Sequence, residues 1–139
     1  MLAYSVIIPV YNREAFVEEC ICSLQAQTYQ DFEVIIVEDG STDSTPAICR
    51  KLAEADSRIK LFQGDHQGVS AARNLALEHA VGKYVFFLDS DDIIHPDLLG
   101  SLVKGMEETD APMGATRCVF VRHKNWEQAY QRINMVGGI

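Results

Sequence analysis

Tyr84-Val85-Phe86-Phe87-Leu88-Asp89-Ser90-Asp91-Asp92 is an apolar run that passes without a break into an acidic cluster. The apolar half reads as a strand. Three carboxylates in four residues at the end of a buried strand are costly unless solvated, paired or bound to a cation. In extended backbone, residues two apart point the same way, so Asp89 and Asp91 can converge on one point. A divalent ion held by one or two carboxylates plus substrate phosphates is the usual chemistry for such a pair. A polar turn in which Asp92 caps the next helix explains the tetrapeptide equally well. The surrounding sequence has to decide.

Upstream, the same strand-then-polar pattern recurs. Tyr4-Ser5-Val6-Ile7-Ile8-Pro9-Val10 is a nearly continuous β-branched run, suited to a central strand covered on both faces, with Pro9 marking where the ladder stops. After the loop Tyr11-Asn12 the pattern turns helical from Arg13. Phe16, Val17, Cys20, Ile21 and Leu24 make one apolar stripe, and Asn12 is the expected N-cap. Phe32–Val37 is a second strand, ending in the polar turn 38–46. Thr45 is the expected N-cap there, with Pro46 at the first helical position and Ile48, Cys49 and Leu52 facing inward. Ile59–Phe62 is a short third strand. The loop 63–68 leads to a helix from about Ser70, with Ala71, Ala72, Leu75, Ala76 and His79 on or beside its packing face and Gly82 as C-cap.

Downstream of the acidic cluster, Pro96 opens a helix with Leu99, Leu102, Val103 and Met106 at helical spacing. Ala115–Val121 reads as a fifth strand and Asn125–Asn134 as a helix with Trp126, Tyr130 and Ile133 on one side. Strand and helix alternate with short connections, the pattern of an α/β domain with a largely parallel sheet and right-handed crossovers. Ligands bind such sheets beyond the carboxyl ends of the strands. Tyr11-Asn12, Glu38-Asp39-Gly40-Ser41 and Asp89-Ser90-Asp91 all fall there, and the helix carrying Arg73 follows the remaining strand.

The chain of 139 residues is read as a single domain, 1–139, with 47% hydrophobic and 23% charged residues. Its formal charge of -8 argues against a sequence-independent grip on nucleic acid or anionic lipid. Phosphate ligands remain compatible, because a bound metal reverses the local sign. No apolar stretch approaches a membrane span, and Met1-Leu2-Ala3-Tyr4-Ser5 lacks the basic region of a signal peptide, which leads to a cytoplasmic expectation. Cys20, Cys22, Cys49 and Cys118 show no paired CxxC spacing and read as structural thiols of a reducing compartment. The first strand is not followed by GxGxxG, no GxxxxGK[ST] or HExxH occurs, and a phospho-accepting receiver would want an acidic pair after the first strand.

Four stretches together are similar to family 2 glycosyltransferases in order and spacing: SVIIPVYN (Ser5 to Asn12), EVIIVEDGSTDST (Glu33 to Thr45), GVSAARN (Gly68 to Asn74) and YVFFLDSDD (Tyr84 to Asp92). The resemblance covers residues 3 to about 122. It implies the nucleotide-sugar-binding part of a GT-A type fold, a Rossmann-like three-layer sandwich with a largely parallel central sheet. It also implies inverting, metal-dependent transfer from a UDP-sugar to a carbohydrate or lipid-linked acceptor hydroxyl, in polysaccharide biosynthesis, in the cytoplasm or at the inner face of the membrane. A sugar-phosphate nucleotidyltransferase of the same fold would want a basic, glycine-rich loop after the first strand, which is absent.

Under that resemblance Asp39 accepts the N3–H of uracil, with Gly40 beside it. Pro9, Tyr11 and Glu14 wall the uridine. Tyr11 is a stacking platform or a packed aromatic. Arg73 contacts the nucleotide or, alternatively, is a surface arginine paired with Glu78 or another acid. Asp89 meets the ribose, Ser90 is among the nucleotide-binding residues, and the Asp89-Ser90-Asp91 triplet is the DXD motif, with Asp91 the direct ligand of Mn2+ or Mg2+ and Asp89 in its shell. The family's general base sits on a later segment. Of Asp97, Glu107, Glu108, Asp110 and Glu127, only Glu127 is a candidate. The chain is accordingly expected to be a C-terminally truncated catalytic domain, with a non-catalytic nucleotide-sugar-binding module as the alternative.

Overall fold

The computed structural model describes residues 2–114. The β-branched run near the N-terminus becomes β1 (Tyr4–Val10), every residue of which is buried. β2 (Phe32–Glu38) is equally buried and runs parallel to it, with Ser5 opposite Glu33 and Ile7 opposite Ile35. β3 (Ile59–Gln63) adds to the outer side of β2, and β4 (Tyr84–Phe87) to the other side of β1, both parallel. The order is β3-β2-β1-β4. Parallel strands need crossover connections, which the intervening helices supply. These are α1 (Val17–Gln25), α2 (Thr45–Ala55) and α3 (Val69–His79).

Alternation along the strands divides the core between the two faces of the sheet. Ile7, Ile35 and Val37 pack with Ala72 and Ala76 of α3 on one face. Val6, Ile8, Val34 and Ile36 point the other way and are just as buried. Small alanines on α3 let the helix lie close to the sheet, and Phe62 stacks on His79 at its end, with ring centroids 4.1 Å apart. Val17, Cys20, Ile21 and Leu24 of α1 are buried, as the stripe predicts.

The described residues form two compact units. One comprises the chain up to Gln25 and Gln30–Ile93; the other comprises Ala26–Tyr29 and the chain from Ile94 onward. In the second, α4 (Leu98–Thr109) buries Leu98, Leu99, Val103 and Met106. The buried Gln27 ties its own segment to the start of that helix, donating to His95 O at 2.7 Å and accepting Leu99 N at 3.1 Å. Glu107 and Glu108 are exposed near the helix end. The strand and helix expected over 115–121 and 125–134, with Cys118 and Glu127, lie outside the described residues.

Several local expectations are corrected. Asn12 is not an N-cap: it takes a positive φ of 48°, its side chain accepts Thr42 N, and α1 starts only at Val17. Ser44 rather than Thr45 occupies the N-cap position of α2, because the Thr45 hydroxyl accepts Arg13 N instead. Gly82 is not the C-cap of α3, which is Ala80. Gly82 instead lies against β1, where a Cβ would come within 2.4 Å of Ser5 N, so only glycine fits. β4 is not a fully buried strand. Among the described residues it is the edge of the sheet, and Val85 and Phe87 are exposed.

Candidate functional site

The carboxyl ends of β1, β2 and β4, with the N-terminal turns of α3, enclose a cavity of about 600 Å³. Pro9, Tyr11, Asp39, Arg73, Asp89, Ser90 and Asp91 all line it. The structure thus brings together seven of the residues singled out in the sequence.

Three loops build this end of the sheet, and each is fixed by its own side chains. After β2, the buried Glu38 folds back on its own turn: its carboxylate accepts Ser41 N at 2.7 Å and Gly40 N at 3.3 Å. Gly40 takes the positive φ of 79° that this turn requires. The loop after β1 is stitched to that turn. Asn12 N donates to Ser41 Oγ at 2.9 Å, and Ser44 N donates to Glu14 Oε2 at 2.9 Å. Glu14 and Gly40 therefore shape the loops and are not among the cavity's lining residues.

Asp39 is 6% exposed yet lines the cavity. A carboxylate so buried needs partners. Its Oδ2 accepts the backbone N–H of Gly68, the residue just before α3, at 3.1 Å. Its carbonyl receives His66 Nδ1 at 3.0 Å. A carbonyl only accepts, so Nδ1 carries the proton. The close fit depends on Gly64, where a Cβ would stand 2.6 Å from Asp39 Oδ1. The His66 ring lies against Tyr11, centroids 4.7 Å apart and tilted by 35°. Tyr11 is 39% exposed, a wall of the cavity rather than a core aromatic.

At the other side of the cavity Arg73 Nη2 meets Asp89 Oδ1 at 3.1 Å, settling its pairing on Asp89 and not Glu78. Its guanidinium lies 5.9 Å from the centre of the Phe87 ring, and its buried Nε has no hydrogen-bond partner. Beyond β4, Leu88 N still bonds to Ile7 O, and Asp92 N closes a turn onto Asp89 O at 3.0 Å. Asp92 is thus part of this turn, and the next helix starts only at Leu98. Ser90 is buried, whereas Asp89, Asp91 and Asp92 are exposed and can offer ligand atoms within 4.8 Å of one another. Partial burial, then the charges of Asp91 and Asp89, raise the Asp92 pKa. Three clustered hard oxygen donors fit Mn2+ or Mg2+. Beneath them the buried Cys20 thiol stands 3.5 Å from Asp89 O; burial and the three aspartates push its pKa up, keeping it protonated. Cys20, Cys22 and Cys49 are free thiols.

Sequence reasoning gave His66 and Val69 no role at the site and placed Ala72 only on the packing face of its helix; all three also line the cavity. The signal for His66 was available: it sits at the carboxyl end of β3 between Gly64 and Gly68, in a loop that needs positive φ at His66 and Gly68.

Residues 5–138 match the family model of Glycosyl transferase family 2. This chain belongs to glycosyltransferase family 2. It is 48% identical over 109 residues to an uncharacterized glycosyltransferase of Rickettsia conorii and 43% identical over 107 residues to glycosyltransferase GlyA of Streptococcus pneumoniae. Those alignments cover 76% and 77% of this chain, but only 17% and 15% of the two relatives. Among solved structures, it is similar to residues 1–349 of TarS from S. aureus in complex with UDP-GlcNAc, with a TM-score of 0.73 and 31% identity over 87% of this chain and 39% of that one. It is also similar to the mannosyltransferase PcManGT from Pyrobaculum calidifontis in complex with GDP-Man and Mn2+, with a TM-score of 0.75 and 32% identity over 91% of this chain and 38% of that one. The expected GT-A, Rossmann-like α/β fold is thereby established. No helix among the described residues is long and apolar enough to cross a membrane.

Proposed function

We propose that this chain is the donor-binding part of a metal-dependent, inverting transferase that uses a UDP-sugar. The observation that carries the reading is that Tyr11, Asp39, Arg73 and the Asp89-Ser90-Asp91 turn line one and the same cavity. That set offers an aromatic face, a buried acceptor, a guanidinium and a cluster of hard oxygen ligands. These are the four needs of a base, its polar edge, a diphosphate and its counter-ion. The TarS complex with UDP-GlcNAc and the PcManGT complex with GDP-Man and Mn2+ support it by similarity.

In this reading Asp39 accepts the uracil N3–H in addition to the Gly68 N–H. Tyr11, backed by His66, and Pro9 flank the base. Glu14 and Gly40 act by shaping the loops around it. Asp89 and Ser90 face the ribose, and Asp91 is the direct ligand of Mn2+ or Mg2+, with Asp89 beside it. When bound, that ion supplies Lewis-acid stabilisation of charge on the departing diphosphate. Arg73 adds a second positive contact. The acceptor, a carbohydrate or lipid-linked hydroxyl, gives its proton to a carboxylate base. Glu127 is the base candidate. The setting we propose is cell-surface polysaccharide synthesis on the cytoplasmic side of a membrane.

The test is UDP release from a panel of UDP-sugars, with Mn2+ and with a chelator, across carbohydrate and lipid-linked acceptors. Metal-dependent UDP release with a sugar-extended product is expected. Metal-dependent UDP binding with no turnover on any acceptor would instead identify a binding module, and tighter binding of GDP than UDP would overturn the base assignment.

A further inference from the structure

We infer that Arg73 and a divalent cation compete for Asp89, so that the metal and the nucleotide diphosphate load together. The inference rests on the metal and nucleotide reading above and adds a coupling device to that site.

Asp89 carries two roles that compete for one carboxylate. It belongs to the carboxylate cluster whose ligand atoms lie within 4.8 Å, and it is the partner of Arg73 at 3.1 Å. Among the described residues, no ion pair is found for Asp91 or Asp92. A cation that draws on all three aspartates therefore shares the Asp89 carboxylate with a guanidinium, taking the second oxygen beside it or displacing it from Oδ1. Two positive groups held by one carboxylate repel each other, so each weakens the other's hold.

Arg73 is built to change partner. Its Nη2 is held by Asp89, but its buried Nε donor is unsatisfied. A buried donor without a partner is unfavourable, so the guanidinium is incompletely served by Asp89 alone. A phosphate can take two parallel N–H groups of the fork at once. Arg73 and the aspartates line the same cavity, so a diphosphate beside the metal comes within reach of the freed guanidinium. Before nucleotide arrives, Arg73 holds metal affinity down. With nucleotide in place, the diphosphate takes Arg73 and Asp89 turns to the metal. By linkage, each ligand strengthens the other by the same factor.

The test is Mn2+ binding, read from the free-ion electron paramagnetic resonance signal, with and without UDP, in wild type, Arg73→Met and Arg73→Lys. Arg50→Met, at an exposed arginine on α2, controls for the loss of one positive charge. Arg73→Met should bind Mn2+ alone about two- to fivefold more tightly, the range for releasing an exposed ion pair. It should also bind UDP with Mn2+ more weakly, and the factor by which UDP enhances Mn2+ binding should shrink. Opposite signs for the two ligands are not what a general loss of structure produces. Arg73→Lys, which loses the fork but keeps the charge, should shift both affinities in the same directions by less, and Arg50→Met should change neither. An Arg73→Met variant that binds Mn2+ no more tightly than wild type overturns the exchange and leaves the proposed function standing; if that variant does not fold, the same reading is taken on Arg73→Lys. A wild-type chain that binds neither Mn2+ nor UDP overturns both.

Discussion

Glu33 lies near the start of β2 and the Asp89–Asp92 turn follows β4, so the two sets of carboxylates stand at opposite ends of one parallel sheet. Glu33 is 2% exposed and fully partnered. Its Oε1 accepts Ser5 Oγ–H at 2.7 Å and Val81 N at 3.0 Å, and its Oε2 accepts Lys60 Nζ at 2.7 Å. Burial pushes its pKa up, but the Lys60 and Ser5 hydrogen bonds and the Val81 N–H outweigh that and hold it below its ordinary 4.5. At the other end three carboxylates share a single ion pair, and the Asp92 pKa is pushed up instead. One end has used its charge to fix the chain. The other keeps charge that the fold itself does not satisfy, as a ligand site requires.

The sharpest way to break the contrast is to remove one acid from each end. Asp91→Ala should lower Mn2+ affinity by at least about 100-fold, in line with the loss of a direct carboxylate ligand, while leaving the melting temperature nearly unchanged. Calorimetric Mn2+ titration beside a thermal melt reads both. Glu33→Ala should do the reverse. It leaves the buried Ser5 hydroxyl and the half-exposed Lys60 without their acceptor and should cost about 1–3 kcal/mol in urea unfolding, with Mn2+ affinity per folded molecule unchanged.

Gly82→Ala sharpens the same point, because its Cβ would meet the backbone of Tyr4 and Ser5. A cost of about 3 kcal/mol is expected, again by urea unfolding and again without effect on metal binding. A smaller effect comes from pH. Glu33 has a folded pKa below its unfolded one, so its contribution to stability is complete above the ordinary value of 4.5 and is lost as pH falls through the folded value. Stability measured across pH 5 to about 3 should therefore fall more steeply in wild type than in Glu33→Gln. Equal slopes would show that the Glu33 network contributes nothing.

The architecture was legible because it rests on periodicity. Continuous β-branched runs gave β1 and β2, and an apolar stripe gave α1. The strand-end placement of Asp39, Asp89 and Asp91, and that of Arg73 on the helix after β3, followed from the alternation alone. What was missed depends on contacts between distant segments. Glu33 drew no comment, because its neighbour Ser5 is set by strand register. Asn12 read as a helix cap, although its side chain serves Thr42, 30 residues away. Glu14 read as part of the cavity wall, yet it bonds across to Ser44. His66 was overlooked because its place depends on a left-handed loop between two glycines, which hydrophobic pattern does not report.

The central claim is that the unsatisfied acids at the carboxyl end of the sheet hold a divalent ion and, through it, a nucleotide diphosphate. Its most direct test is calorimetric titration of the wild-type chain with UDP, first with Mn2+ and then with a chelator. We expect UDP binding with Mn2+ and a loss of at least about tenfold in affinity without it. Equal UDP affinity in the two conditions would contradict the claim.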